Sequence, residues 1–122
     1  MINVGINGLG RIGRVLLRQI LASNKLKVVA INDINPDINN IAYLIKYDSN
    51  YGRLKASVSV KKNYIHVNKD KIKLFNKVGI DEVDWKKSKV DILIDSSGVK
   101  KNLILSRKLK DKVKNIIVTN SP

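Results

Sequence analysis

Cysteine is missing altogether from these 122 residues. Its absence excludes a disulfide framework and a cysteine nucleophile within the chain, and it agrees with a cytoplasmic setting. Histidine occurs once, as His66 in an alternating segment, so a structural role is expected for it and no metal site is predicted. Aromatic residues make up only 5% and proline occurs twice. No apolar run approaches the roughly 20 residues that a membrane-spanning helix needs, and no membrane partner is expected. The sequence passes from Met1 straight into an apolar segment, so no signal or transit peptide is expected.

Acidic residues are scarce too, with ten Asp and Glu against 24 Lys and Arg, a net charge of +14. Residues 1–60 hold eight basic and three acidic side chains, and residues 61–122 hold sixteen and seven. The excess is therefore spread along the chain with a bias to the second half. Lys61-Lys62, Lys86-Lys87, Lys100-Lys101 and the lysines at 108, 110, 112 and 114 fall in turns or on polar helix sides. They are not interleaved with the aromatics on which single-stranded nucleic acids stack. A solvated lysine surface is the preferred reading and a nucleic-acid partner the less favoured one. An apolar fraction of 43% in periodic segments predicts one ordered domain with a real core.

What the chain does have is concentrated at its start. Val4-Gly5-Ile6-Asn7-Gly8-Leu9-Gly10-Arg11-Ile12-Gly13-Arg14 reads as a short apolar strand, a glycine-spaced turn and a helix. Asp33 follows Gly13 by 20 residues, after a second apolar run, Val28-Val29-Ala30-Ile31. This order and spacing describe a dinucleotide pocket. Gly8 serves the tight turn, Gly10 lets the backbone approach a pyrophosphate, and Gly13 lets the helix pack close to the strand. The helix beginning near Arg11 offers unpaired N–H groups and its positive dipole end to phosphates. Asp33 is placed to accept ribose hydroxyls, and its charge repels a 2′-phosphate, so NAD is predicted over NADP; a loop-capping role is the alternative reading for this side chain.

Further along, residues 2–7 and 26–31 are predicted as parallel strands. Ile12, Val15, Leu16, Ile20 and Leu21 form the apolar face of the intervening helix. Pro36-Asp37 leads into a second helix with Ile38, Ile41, Ala42 and Ile45 on one face. After Tyr51-Gly52 the pattern alternates in Ser57–Val60, Tyr64–Val67 and Ile72–Phe75, predicting an antiparallel meander. Asp81 to Trp85 is a short turn or helical piece, with Trp85 anchoring it against the sheet. Val90–Asp95 is a buried strand, Lys101–Lys110 a helix and Ile116–Thr119 a last strand. Asp91 and Asp95 lie at opposite ends of their strand and form no dyad. Tyr47-Asp48-Ser49 has no neighbouring base, which leaves packing and turn chemistry. The predicted fold is α/β, a Rossmann-type doubly wound parallel sheet with a small antiparallel β insertion.

Over its full length the sequence resembles the nucleotide-binding half of phosphorylating glyceraldehyde-3-phosphate dehydrogenase. The residues that carry the resemblance are Gly5 to Arg14, Val29-Ala30-Ile31-Asn32-Asp33 and Ala42-Tyr43-Leu44-Ile45-Lys46-Tyr47-Asp48-Ser49-Asn50-Tyr51-Gly52-Arg53, with weaker echoes in Val90 to Gly98 and Ser121-Pro122. It implies an NAD-binding domain over residues 1–122, incomplete, with the catalytic domain absent. Its implied cofactor-binding residues are Asn7, Gly8, Gly10, Arg11, Ile12, Gly13, Asp33, Ser97, Gly98 and Asn120. The backbone of Arg11 and Ile12 would hold the pyrophosphate, Asp33 the adenosine ribose, and Ser97 and Gly98 the ribose–pyrophosphate region. Asn120, or Thr119 in the alternative register, would lie beside the nicotinamide ribose.

Two departures from the family pattern fall on the adenine side. Aligned on Trp85, the family's Glu-Arg-Asp-Pro places Val78 and Ile80 where an Arg and a Pro flank the adenine, with Lys77 adjoining as a replacement cation. Lys100 stands where the family tends to carry an aromatic. The family's nucleophilic cysteine and phosphate-binding residues lie beyond the closing strand, so this chain alone is expected to be inactive. The implied partners are NAD and the missing catalytic domain or a parent tetramer. An erythrose-4-phosphate dehydrogenase fragment and a stand-alone nucleotide-binding module are the alternatives.

Overall fold

The computed structural model describes residues 1–48 and 52–119. Ser49, Asn50, Tyr51, Asn120, Ser121 and Pro122 lie outside the described residues, and with them the expectation for Asn120.

Nine strands and three α-helices are formed among the described residues: β1 (Ile2–Asn7), α1 (Arg11–Leu21), β2 (Leu26–Asn32), α2 (Ile38–Lys46), β3 (Tyr47–Asp48), β4 (Gly52–Arg53), β5 (Val58–Lys61), β6 (Tyr64–Val67), β7 (Asp70–Phe75), β8 (Ile92–Asp95), α3 (Lys101–Leu105) and β9 (Asn115–Val118). Seven strands make one sheet in the order β5-β6-β7-β2-β1-β8-β9, and β3 pairs with β4 separately. The five strands from β7 to β9 run parallel, while β5, β6 and β7 form the antiparallel meander. The insertion is thus continuous with the main sheet, because β7 pairs with β2 from Ala30↔Lys73 to Asn32↔Phe75.

Central parallel strands are covered on both faces and read as apolar runs. One face of the sheet packs on α1 and α2 through Leu17, Ile20, Ile41 and Ile45 against Val4, Ile31, Ile65 and Ile72. The other gathers Ala30, Ile80, Trp85, Leu93, Leu109 and Val113. Trp85 is fully buried there, its Nε1 donating to the Ile80 carbonyl at 2.9 Å, which is the anchoring role the sequence suggested. Two elements differ from expectation. The buried stripe of α1 is Gly13, Leu17 and Ile20, whereas Ile12 is 47% exposed; Gly13 faces the sheet and turns its neighbour outward. The helix expected over 101–110 is α only to Leu105 and continues as a 3-10 turn, Ser106–Leu109, where the Ser106 hydroxyl bonds back to the Leu103 carbonyl at 2.8 Å, a contact that competes with regular helix bonding.

Asp37 caps α2, its carboxylate accepting from the N–H groups of Asn39 and Asn40 at 3.1 Å. Such caps contribute about 1 kcal/mol. Asp37→Ala is therefore expected to lower unfolding free energy by about that amount in a denaturant titration, with the NAD affinity of the folded protein unchanged. No helix among the described residues is long and apolar enough to cross a membrane.

Candidate functional site

Strand order reverses at β1, which sits between β2 and β8, and in open α/β sheets the crevice beyond the carboxyl ends of such strands takes the ligand. Three side chains spread across those ends. Asn32 Nδ2 donates to Asn7 Oδ1 at 2.7 Å, and Asn7 Nδ2 donates to Asp95 Oδ1 at 3.1 Å. All three residues are at most 3% exposed. They form a polar floor joined by its own hydrogen bonds, with Asp95 Oδ2 buried and without a partner among the described residues.

The glycine turn stands on this floor. Gly8 has φ 93°, and a Cβ there would lie 2.5 Å from the Ser97 Cα. A Cβ on Gly13 would lie 2.2 Å from the Gly8 carbonyl oxygen, so α1 starts in direct contact with the turn. Ser96 fastens the turn from the β8 side by donating from Oγ to the Gly8 carbonyl at 2.6 Å. Arg14 fastens it from the helix, donating to the Leu9 carbonyl at 3.2 Å and to Asp48 at 2.9 Å. A Cβ on Gly10 would meet nothing within 4 Å. The turn is rigid where it touches protein and open where it faces out.

Gly10 is the N-cap residue of α1, with no side-chain capping bond and no acidic residue in the first turn. The first main-chain bond of this turn runs from Arg14 N–H to the Gly10 carbonyl at 2.9 Å. The preceding N–H groups have no partner within the helix, and they and the dipole's positive end favour an anion. Arg11 and Ile12 occupy this exposed start.

Asp33 closes the second side. Its Oδ2 accepts from the Leu9 N–H at 2.7 Å and its Oδ1 from the Asn35 N–H at 2.9 Å. The carboxylate therefore does cap its loop, and it also locks the glycine turn. Each ionised oxygen accepts more than one hydrogen bond, so both retain capacity for a ligand hydroxyl.

A cavity of about 220 Å³ opens between these groups, lined by Asn7, Gly8, Gly10, Asp33 and Ser97 among the expected residues. It is smaller than the roughly 300–1,000 Å³ of a complete small-molecule site, so it suits one end of an extended ligand whose middle crosses the start of α1. Ile34, Val78 and Val99 line the rim at 73%, 84% and 46% exposure. Lys77 lines it as well. Of the two positions expected to flank the base, only Val78 reaches the cavity. Ile80 is fully buried beside Trp85, because the 3-10 turn Ile80–Glu82 directs it into the core.

The remaining expected residues are distributed as follows. Ser97 is at the wall, but its hydroxyl donates to Asp95 at 2.7 Å and accepts from Val99 N–H at 3.2 Å and Asn102 Nδ2 at 3.1 Å, which fills its capacity. Gly98 makes the turn after it, with φ 72°. Thr119, the alternative to Asn120, hydrogen-bonds from its N–H to the Asp95 carbonyl at 3.1 Å. Sequence reasoning missed Asn102, which is 2% exposed and lines the cavity; an asparagine near the start of a lysine-rich helix gives no signal of its own. Asp91 and Asp95 do not meet: Asp91 accepts from the Asn3 N–H at 3.0 Å, away from the floor.

The open cradle over Gly10, the uncapped helix start and the carboxylate held at the end of β2 fit a dinucleotide with its phosphates at α1. Together with the sheet order they define the molecule as a Rossmann-type dinucleotide-binding domain. The family model described as "Glyceraldehyde 3-phosphate dehydrogenase, NAD binding domain" matches residues 2–103. The chain is 41% identical over 120 residues to glyceraldehyde-3-phosphate dehydrogenase 1 of Kluyveromyces lactis, covering 98% of this chain and 36% of that relative. It is 39% identical over 122 residues to the Saccharomyces cerevisiae protein of the same name, covering 98% and 36%. It is 42% identical over 98 residues to glyceraldehyde-3-phosphate dehydrogenase of Buchnera aphidicola, covering 80% and 29%. This chain belongs to the glyceraldehyde-3-phosphate dehydrogenase NAD-binding domain family, and NAD is its cofactor. It spans about a third of the length of the curated relatives it matches.

Proposed function

We propose that residues 1–122 form the nucleotide-binding part of a phosphorylating glyceraldehyde-3-phosphate dehydrogenase, incomplete without a catalytic domain. NAD bound here supplies the hydride acceptor. The N–H groups of Arg11 and Ile12 hold the pyrophosphate, with Gly10 giving it room and Gly8 and Gly13 fixing the turn. Asp33 accepts the adenosine ribose hydroxyls. Asn7 positions the floor, and Ser97 and Gly98 approach the ribose–pyrophosphate region through their backbone, since the Ser97 hydroxyl is already engaged. Thr119, the alternative to Asn120, is the candidate contact for the nicotinamide ribose. The chain has no cysteine, so the thiol for aldehyde chemistry comes from outside these residues, from a catalytic domain within a parent tetramer that works in the cytoplasm.

The observation that carries this reading is the pairing of an uncapped α1 start with Asp33 held across the glycine turn. Titration calorimetry tests it: NAD is expected to bind at one site, and NADP at least about tenfold more weakly because Asp33 faces the added phosphate. No NAD binding, or equal affinity for both, contradicts it. The parent-enzyme part is tested by the coding sequence after Pro122, where a cysteine followed by two threonines is expected and an immediate stop codon contradicts it.

A further inference from the structure

We propose that Asn102 is a positioning residue for the adenosine end of the cofactor, holding the 77–80 loop as a preformed rim of the cavity. The proposal rests on the cofactor reading above and assigns how this chain builds its base subsite.

The loop is pinned at two points. At one, the Asn32 side chain takes both backbone groups of Lys77, accepting from its N–H at 2.8 Å and donating to its carbonyl at 3.0 Å. At the other, Asn102 Oδ1 accepts from the Ile80 N–H at 3.2 Å. Only Val78 and Gly79 lie between, and Val78 projects at the rim, 84% exposed. The two pins belong to one circuit. From Lys77 it runs through Asn32, Asn7 and Asp95 along the sheet end, then through Ser97 to Asn102 and back to Ile80.

A side chain that both donates and accepts is needed at the closing position. The Ser97 hydroxyl proton is committed to Asp95 at 2.7 Å, so Ser97 presents a lone pair and its neighbour must donate. The Ile80 N–H presents a proton, so the same side chain must also accept. Asn102 does both from a buried place at the start of α3, with Nδ2 on Ser97 at 3.1 Å. A carboxylate has no donor and an aliphatic chain has neither group. The apolar core gains nothing from an exposed valine, whereas a base lying in the cavity gains a wall whose position is already fixed. Preorganisation of this kind strengthens binding by removing the ordering cost of the loop.

The test uses the full chain with AMP, which carries the adenosine end, and inorganic pyrophosphate, which lacks the base that the 77–80 rim walls. Asn102→Leu is expected to weaken AMP binding about tenfold, the effect of losing a buried hydrogen-bonded pin, with pyrophosphate affinity changed by less than about twofold. Unchanged AMP affinity, or an equal fall for both probes, overturns the proposal. Should the variant fail to fold, amide hydrogen exchange on the unaltered protein decides. The amides of Lys77 and Ile80 are expected to exchange slowly without AMP and no more slowly with it. Fast exchange that AMP suppresses overturns a preformed rim. If the unaltered protein binds neither AMP nor NAD, the cofactor reading itself falls; if it binds both and only the Asn102 arm fails, that reading stands.

Discussion

Gly10→Val is expected to leave the fold in place and abolish NAD binding, while Gly8→Ala and Gly13→Ala unfold the domain or nearly so. The three glycines share a motif but meet different surroundings. At Gly8 a methyl group lies 2.5 Å from the Ser97 backbone at a φ of 93°. At Gly13 it lies 2.2 Å from the Gly8 carbonyl oxygen. Neither contact is with a flexible side-chain end, so the glycine turn or the start of α1 must move. Overpacking together with backbone strain costs roughly 3–5 kcal/mol, a large part of the roughly 5–15 kcal/mol that holds a domain together. At Gly10 the added atoms enter open space with extended backbone. The stability loss there stays near 1 kcal/mol, the cost of a poorer N-cap. The same atoms occupy the space over the helix start where phosphates must come. Thermal melts and NAD titrations of the three variants give the pattern directly; equal effects on stability, or NAD binding by Gly10→Val, contradict it.

Asp33→Asn is expected to weaken NAD by roughly 10- to 150-fold, the range for losing charge-assisted hydrogen bonds, while NADP loses much less. One oxygen becomes an NH2 group facing either the Leu9 or the Asn35 N–H, so two donors oppose each other and the glycine turn loosens. That loosening penalises both nucleotides alike. Removal of the negative charge favours only the one with a 2′-phosphate. The ratio of the two affinities therefore separates charge recognition from general damage: it falls if Asp33 reads the ribose, and holds constant if Asp33 only braces the loop.

The β1-α1-β2 unit was legible because its signals are local. An apolar run, glycines at fixed offsets and an acid beyond the second strand lie within one stretch of chain, and β1 and α1 begin where that spacing places them. The meander was legible for the same reason, through alternation and Asn-Lys turns. What escaped was built by neighbours distant in sequence. Asn7, Asn32 and Asp95 meet only because β2, β1 and β8 lie side by side with their ends level. Asn102 joins them through a turn that no periodicity marks. Ile80 was placed beside the base by alignment on Trp85, yet its backbone enters a 3-10 turn that sends the side chain inward. Register also brings a lysine onto an aromatic, with Lys71 Nζ at 4.2 Å from the Tyr64 ring centroid on the neighbouring strand; Lys73 Nζ, 5.0 Å from the Phe75 ring centroid, is two residues along the same strand. Strand pairing, and not spacing along the chain, encodes the Lys71–Tyr64 pair.

Amide NMR spectra recorded through an NAD titration test the central claim most directly. The largest shifts are expected at residues 8–13, at Asn35 beside Asp33, and at 97–99, because the phosphates seat on the start of α1 and the ribose on the carboxylate. Shifts confined to the lysine-bearing strands β5–β7 or to residues 100–114, with the glycine turn unmoved, would contradict the account.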